Sequence, residues 1–201
     1  MPDLNPVIQL PRCPHCNVSD PMLHGHPPME TTDGNGNYNR FWRFYVCGRC
    51  GCIVTAWAHQ DGETIQDIFP SPETVDETIP SRAKSYLEQS IASLHAPAGS
   101  LMLSASAVDA MLKARDYKEG SLNERINKAA ADHAITADMA QWAHEIRLDA
   151  NDQRHADEKA PLPTEADAKH SIAFAQALGQ ILFALPAKVR HGIADAKPKT
   201  K

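Results

Sequence analysis

The sequence predicts an α+β fold, in which a small N-terminal β domain precedes an all-α helical bundle. Two Cys-x-x-Cys pairs, separated by thirty residues, flank an aromatic-rich run that is typical of a strand. Beyond Pro80, apolar residues recur at the spacing of amphipathic helices. Prolines and acidic residues lie between these two regions, and they indicate an extended connection rather than a helix.

Composition divides the chain into four segments. Residues 1–62 hold the cysteine pairs, and residues 63–80 form a predicted acidic linker that contains Pro70 and Pro72. Residues 81–190 carry the helical pattern. Residues 191–201 form a basic tail that is predicted to be disordered, because chain ends order only when they dock on a domain.

Four cysteines form two knuckles that predict one metal site: Cys13, Cys16, Cys47 and Cys50. Each tight turn brings its two sulfurs to the same side, and four thiolates suit the tetrahedral coordination of zinc in a zinc ribbon. Because four thiolates leave no open position, the predicted zinc is a structural cofactor, one per chain, and not a catalytic one. Redox-active thiols are the alternative function of such pairs.

One strand is predicted on each side of the second knuckle. Residues 41–46 lead into Cys47 and residues 52–57 follow Cys50, so the knuckle would form the turn of a β-hairpin. Cys52 alternates with Cys50 on the outgoing strand. Its sulfur is therefore expected to point away from the metal, as a small core residue.

Five helices are predicted in the second half of the chain. Two of them begin with a capping box. In this motif the N-cap hydroxyl accepts from the backbone amide three residues later, and the acidic side chain of that later residue accepts from the N-cap amide. The last helix runs to about Val189, and its broad apolar face predicts burial in a core. The predicted starts are Ser81, Pro97, Ser121, Thr136 and Thr164.

Charge and hydropathy limit the functions that fit the chain. Its net charge is −5, and residues 1–80 hold 4 basic against 10 acidic residues. Residues 81–201 hold 16 basic and 15 acidic residues, so contact with phosphates is expected on the helical half. The N-terminus lacks a signal-peptide pattern, and no uninterrupted run of about 18 apolar residues occurs. We therefore expect a cytoplasmic protein with no membrane segment.

One predicted helix carries a polar stripe with distinctive chemistry. Arg147, Asn151 and His155 follow one another at intervals of four residues, and His144 lies one turn before Arg147. An imidazole that titrates near neutral pH can transfer protons, and an arginine can hold a phosphate. Together these groups are sufficient in principle for metal-free cleavage of RNA. The alternative is a solvated helix face without any chemistry.

Three runs of the helical half carry a family resemblance: residues 105–113 (Ala-Ser-Ala-Val-Asp-Ala-Met-Leu-Lys), 121–126 (Ser-Leu-Asn-Glu-Arg-Ile) and 146–156. They resemble a bacterial domain-of-unknown-function family whose members occur alone or attached to type I restriction subunits. More distantly, residues 80–190 resemble the HEPN superfamily of helical domains, many of which are metal-independent RNases in toxin–antitoxin, CRISPR and phage-defence systems. The fusion with a zinc ribbon is also similar to zinc-finger RNases of phage defence that act after assembly on a ring-shaped phage protein.

The resemblance implies an antiphage RNase that stays silent until its zinc-ribbon region senses a phage protein assembly. HEPN sites are built from two protomers, so it also implies a homodimer or larger homo-oligomer acting on an RNA substrate. The superfamily signature has a polar residue after the arginine and a histidine four to six residues further on. Here Leu148 follows Arg147, and seven residues separate Arg147 from His155. The implied residues are Arg147, His155 and Asn151 for catalysis, and Arg154 and His144 for substrate binding.

Two other functions fit parts of the sequence. The helical domain could be a non-catalytic interaction module that serves a restriction or defence complex, in which case Arg147 and His155 would be dispensable. The β domain could recognise DNA through a basic patch of Arg40, Arg43 and Arg49, although the acidity of residues 1–80 opposes this.

Overall fold

The protein is α+β and divides into two compact units, Met1–Glu73 and Thr74–Lys201, here called the sheet unit and the helical unit. The structure, a computed structural model, describes residues 1–155 and 161–196. The side chains of Asp152, Arg154 and His155 also lie outside the described part.

The sheet unit is a six-stranded antiparallel sheet whose central strand is the longest. The strands are β1 Val7–Ile8, β2 Leu23–Gly25, β3 Met29–Thr31, β4 Arg40–Cys47, β5 Ile53–Ala58 and β6 Asp67–Phe69. Hydrogen-bonded neighbours in the sheet follow the order β1-β2-β4-β5-β6. Both β2 and β3 pair with the same edge of β4, β2 near its end and β3 near its start. The predicted hairpin around the second knuckle is confirmed as β4 and β5.

The two faces of this sheet differ in burial. Along β4 and β5 the side chains alternate, because successive residues of a strand point to opposite faces. Tyr45, Val54 and Ala56 are completely buried on the inner face, where Leu4 and Ile8 pack against them. The Tyr45 hydroxyl donates to the carbonyl of Asn5 at 2.9 Å. Burial raises the Tyr45 pKa to about 12. The inner face is therefore the core of the sheet unit.

The segment predicted as a linker, residues 63–80, is divided between the two units. Its first part belongs to the sheet: Ile65 and Ile68 are buried in the core, and β6 pairs with β5. Ile68 lies opposite Ala56 in the register, so it falls on the inner face. The prolines and acidic residues of this segment predicted an extended linker, but its apolar residues Ile65 and Ile68 dock on the sheet. The predicted boundary at residue 62 is therefore wrong, and the units divide after Glu73.

The helical unit contains the predicted helices with small changes at their ends. Both capping boxes are present, Ser121 with Glu124 and Thr164 with Asp167. Ser81 does not cap its helix, because Pro80 occupies the N-cap position. The helices are α1 Ser81–Ala92, α2 Pro97–Ala114, α3 Leu122–Ala131, α4 Ala137–His155, α5 Glu165–Gly179 and α6 Leu185–Asp195.

The last predicted helix continues beyond Val189 but changes its winding. A π-helical segment, Gln180–Ala184, joins α5 to α6. Pro186 lies in the first turn of α6. Proline lacks an amide hydrogen and its ring clashes with the carbonyl four residues before it, so a wider turn accommodates it. The predicted tail at residues 191–201 is thus helical as far as Asp195, and residues 197–201 lie outside the described part.

By length and composition alone, the continuous helical stretch Glu165–Asp195 could cross a membrane. Polar residues are spaced along this stretch, so it contains no uninterrupted run of about 18 apolar residues. Ile172, Phe174 and Leu178 of this stretch are buried in the core of the helical unit. Of its most apolar window, 39% is buried, and a core helix of a soluble protein passes the same test.

We predict that Arg43→Met lowers the free energy of unfolding of the sheet unit by about 2 kcal/mol, because hydrogen bonds to charged groups are lost in the interior. Arg43 is 7% exposed, and it donates to both carboxylate oxygens of Asp61 (3.0 and 2.8 Å) and to the carbonyl of His26 (3.0 Å). Denaturant unfolding followed by tryptophan fluorescence measures the change. The matched control is the exposed Arg49→Met, and equal stability of the two variants would contradict the interpretation.

Candidate functional site

The four predicted cysteines converge at one end of the sheet unit. The sulfur atoms of Cys13, Cys16, Cys47 and Cys50 all lie within 4.8 Å of one another. The Sγ atoms of Cys13 and Cys50 are 4.0 Å apart. Sulfurs held about 2.3 Å from one ion at the corners of a tetrahedron would be slightly closer together than this. The donor set and its spacing are therefore compatible with a metal site.

The two knuckles have the same backbone geometry. In the first, the amide of Asn17 donates to the carbonyl of Cys13 at 2.9 Å; in the second, the amide of Gly51 donates to that of Cys47 at 2.8 Å. Asn17 and Gly51 both have positive φ values, 55° and 71°. Glycine and asparagine are the residues that tolerate this conformation best. The sequence thus encodes the same turn twice, with a different residue at the positive-φ position.

The surroundings of the thiols shift their pKa values in opposite directions. Burial raises the pKa of Cys13 and also raises that of Cys16, the latter to about 12. Burial also favours the neutral thiol of Cys47, but backbone hydrogen bonds from Cys50 and Arg49, together with side-chain hydrogen bonds to Cys13 and Cys50, outweigh it. They lower the pKa of Cys47 to about 7. Backbone amides directed at a sulfur favour a thiolate, which is the form that binds metals.

The residues beside the cluster do not complete it. His15 is exposed, and its Nε2 lies 2.8 Å from the carbonyl oxygen of Ile53. Cys52 is also exposed, so the expectation that it is a small core residue is wrong. Cys52 precedes β5, before the regular alternation that buries Val54 and Ala56 begins. Strand periodicity therefore does not apply to it.

A second candidate site lies in the helical unit, where α1, α2, the start of α3 and α4 surround a groove of about 1040 Å³. Apolar and small side chains such as Tyr86 and Ala105 form part of its wall. Its other lining side chains are polar or charged. The groove residues that bear on its chemistry are Arg82, Asp109, Lys113, Arg125, Arg147 and Asn151.

The charges of this groove are strongly unbalanced. Four cationic side chains line it against one carboxylate, that of Asp109. Asp109 is itself neutralised, because it accepts from Arg125 at 2.7 Å and from Lys113 at 2.6 Å. Arg125 also donates to the carbonyls of Lys118 and Gly120. In a protein with a net charge of −5, this groove is a local concentration of positive charge.

Two of the predicted catalytic residues face this groove together. Arg147 and Asn151, one helical turn apart on α4, both line it. Arg147 is half-buried, and its Nε atom is buried without a hydrogen-bond partner. Among the described residues, no hydrogen bond or ion pair engages Arg147. A buried guanidinium nitrogen without a partner is costly, and the Arg147 side chain also lines the groove.

His144 lies near Arg147 but outside the groove lining. Its Nε2 is 2.9 Å from the side-chain oxygen of Asn127, and its Nδ1 is buried without a partner. Burial lowers the pKa of His144, and the charge of Arg147 lowers it further. Nδ1 is thus buried, Nε2 is engaged by the exposed Asn127, and His144 is not among the residues that line the groove. Its predicted part in substrate binding is therefore not supported by its position.

The remaining predicted site residues are at the end of α4. His155 is the last residue of that helix, and Arg154 precedes it. The side chains of both lie outside the described part of the structure. Their proximity to Arg147 remains a prediction from helical spacing.

Sequence reasoning missed the groove residues on other helices. Arg82, Lys113 and Arg125 come from α1, α2 and α3, so no spacing pattern connects them. One signal was present: Arg125 lies in the first turns of α3, where the helix dipole disfavours a cation. A cation at such a position suggests a specific partner, which is Asp109.

We predict that His144 makes the helical unit sensitive to mild acid. Because its folded-state pKa is lowered from its usual value of about 6.5, the unfolded chain binds a proton more readily. The stability contribution of neutral His144 is thus present above about pH 6.5 and is lost as pH falls through the lower, folded-state pKa. Urea unfolding at neutral and at mildly acidic pH should therefore show a smaller acid loss for His144→Gln than for wild type. His170→Gln, an exposed histidine on α5, is the control, and an equal loss in all three proteins would refute this account.

Comparison with known proteins gives one family match. The family described as "Domain of unknown function (DUF4145)" matches residues 88–197. No curated protein and no solved structure matches the chain. The matched residues include α2, α3 and α4, and hence most of the groove. The chain belongs to the DUF4145 family.

Proposed function

We propose that this protein is a metal-independent endoribonuclease of phage defence, with its reaction in the groove of the helical unit. The supporting observation is Arg147, a half-buried arginine with an unpartnered Nε, beside Asn151 in a groove with four cations. Such a groove suits the phosphates of an RNA strand. The HEPN-like character of the domain belongs to this proposal and rests on the sequence resemblance.

The proposed reaction is an internal transesterification. His155 accepts the proton of a ribose 2′-hydroxyl, whose oxygen attacks the adjacent phosphorus while the bond to the 5′-oxygen breaks. The same proton then passes from His155 to the departing 5′-oxygen. The products are a 2′,3′-cyclic phosphate and a free 5′-hydroxyl, so no water or metal is consumed. Arg147 stabilises the extra negative charge on the phosphate oxygens, and Asn151 and Arg154 hold the strand.

The proposal includes assembly of two or more chains. A row of exposed apolar side chains at intervals of four residues crosses the π-helical segment and α6. Their exposed fractions are between 40% and 60%. Such a row is unfavourable in water and suits a second copy of this chain. A phage protein assembly would bring the copies together. The row consists of Ile181, Leu185, Val189 and Ile193.

The same row favours a second candidate, a non-catalytic interaction module of a restriction or defence complex. Under that function the row would contact a different protein, and the groove would have no reaction. The two functions differ in what Arg147 does: it is essential to the nuclease and dispensable to the interaction module.

We propose that the cysteine cluster holds one Zn²⁺, because four thiolates are the ligands of structural zinc sites. When bound, the ion would cross-link the loop with Cys13 and Cys16 to the β4–β5 hairpin. The chemistry in the groove does not need it.

The nuclease proposal predicts that loss of Arg147 weakens RNA binding and cleavage. In a metal-free buffer with EDTA, Arg147→Ala should bind a single-stranded RNA about tenfold more weakly than wild type, because a charge-assisted contact to phosphate is lost. In cells challenged with phage, Arg147→Ala and His155→Ala should reduce RNA cleavage about 100-fold or more, the usual loss for a group that stabilises transition-state charge. Binding is measured by fluorescence anisotropy, and cleavage by sequencing of RNA ends with a cyclic phosphate.

The matched control is Arg190→Ala, an exposed arginine on α6 outside the groove, which should behave like wild type. If Arg147→Ala binds RNA and protects cells as well as Arg190→Ala does, the nuclease proposal fails. Protection that persists in Arg147→Ala, with loss of protection on changing the apolar row, would support the interaction module.

The zinc proposal predicts the metal content of the protein. Purified protein should contain about one zinc per chain by elemental analysis, and Cys50→Ser should lose most of it, since three thiolates bind zinc less well than four. The melting temperature of the sheet unit should fall in parallel. Cys52→Ser, an exposed neighbour outside the cluster, should keep both values. Equal zinc content in Cys50→Ser and Cys52→Ser would exclude the cluster as the metal site.

A further inference from the structure

The outer face of the sheet unit carries four aromatic rings that its core does not use. Trp42 and Phe44 lie on β4, Trp57 on β5 and Phe69 on β6. The register places Trp42 opposite Trp57 and places Thr55 between Phe44 and Phe69. All four rings are therefore on the face opposite the buried Tyr45. None of them belongs to the buried core cluster of the sheet unit.

Three of the rings, Trp42, Trp57 and Phe69, lie close to one another, and with Phe44 they form a surface here called the aromatic face. The ring centre of Trp42 is 6.1 Å from that of Trp57 and 6.3 Å from that of Phe69, with planes tilted by 35° and 32°. Phe44 is 40% exposed and Phe69 is 47% exposed, which is high for phenylalanine. A soluble protein rarely exposes several large rings together unless they contact a ligand.

Three side chains beside these rings are planar and nitrogen-bearing, whereas Met29, opposite Trp42, is apolar and exposed. The Arg40 guanidinium lies 5.3 Å from the centre of the Trp57 ring, and His26 stacks on Phe44 at 4.6 Å. His59 meets the edge of Trp57 at 5.3 Å. Guanidinium, imidazole and aromatic groups are the ones on which unpaired bases stack.

Two acidic residues of the sheet unit are engaged by groups outside this face. Asp61 pairs with Arg43, which is buried on the inner face, and Asp33 accepts from amides of its own loop. On the aromatic face, Asp67 is the carboxylate of β6 and Arg40 the cation of β4. The face is therefore close to neutral, and the rings must supply most of its binding free energy.

We propose that the aromatic face binds the unpaired bases of single-stranded nucleic acid by stacking. For the ribonuclease proposed above this strand is its RNA substrate, and that assignment rests on the proposed function. Duplexes are excluded as ligands, because their bases are already stacked and their recognition needs more cationic groups than this face has. A protein partner would be the other class of ligand for such rings. The neighbouring arginine and histidines favour bases.

The proposal predicts a distinctive salt dependence. For single strands, the affinity falls with a slope of about −0.7 per neutralised phosphate on logarithmic axes. Arg40 is the cation of this face, so the slope for the aromatic face should be close to that value. The groove in the helical unit, with four cations, should give a steeper slope.

The experiment uses the full-length, zinc-loaded chain with Arg147→Ala as the background, which weakens the groove and prevents cleavage. The probes are fluorescein-labelled oligouridine and oligothymidine, and an RNA duplex is the negative probe. Anisotropy measures affinity between about 50 and about 200 mM salt. Phe69→Ala and Trp57→Ala should each weaken binding of the single strands about tenfold, as expected for one lost base stack. Trp57→Phe should restore most of it.

The control is Tyr38→Ala, an exposed ring in the β3–β4 loop, which should bind like the background protein. Phe69 is exposed, so its replacement tests binding without disturbing the core, and unchanged melting temperatures verify this. Binding of oligouridine and oligothymidine alike supports a stacking face without RNA preference, whereas preference for oligouridine supports the RNA assignment. The proposal is overturned if the ring variants bind single strands as well as Tyr38→Ala does, which would leave the face to a protein partner. It is also overturned if the duplex binds equally well.

The aromatic face and the groove can be tested independently. Loss of cleavage in Arg147→Ala with unchanged binding in the ring variants would leave the nuclease standing and refute the aromatic face. Normal cleavage in Arg147→Ala with weakened binding in the ring variants would refute the nuclease and leave the aromatic face standing.

Discussion

The burial of α2 is the constraint on which the helical unit depends. This helix packs against α1, α3, α4 and α5, and its inner residues Leu101, Val108 and Met111 are almost completely buried. Where α1 crosses it, Ser90 donates a hydrogen bond to the carbonyl of Ser100 at 2.8 Å, so the small polar residues of this contact are satisfied. With one side of α2 fixed in the core, the other side forms the floor of the groove.

The groove charges follow from this packing. Asp109 lies on the groove side of α2, and it attracts Arg125 from the start of α3 and Lys113 from the next turn of its own helix. Two cations around one carboxylate leave a positive balance, which Arg147 on α4 increases. The fold thus concentrates positive charge at one place in a chain that is acidic as a whole. Long-range attraction of an anion to this place needs no net positive charge of the protein.

In the sheet unit, alternate side chains of the single strand β4 serve different purposes because they point to opposite faces of the sheet. On β4, Arg43 and Tyr45 enter the core, whereas Trp42 and Phe44 stay on the outer face. Cys47 ends the same strand and joins the thiol cluster, so a single eight-residue strand contributes to the core, the aromatic face and the metal site. The antiparallel pairing with β5 fixes all three, because a register shift of one residue would exchange the faces.

The sequence by itself determined the α+β order, the cysteine cluster and most helix starts. These depend on local spacing: Cys-x-x-Cys turns, capping boxes and apolar periods are complete within a few residues. The tertiary structure decided the rest. It placed Ile68 in the sheet, paired His144 with Asn127, and brought Arg82 and Arg125 into one groove with Arg147 from other helices. Those juxtapositions arise from packing between segments far apart in the chain, which no local pattern records.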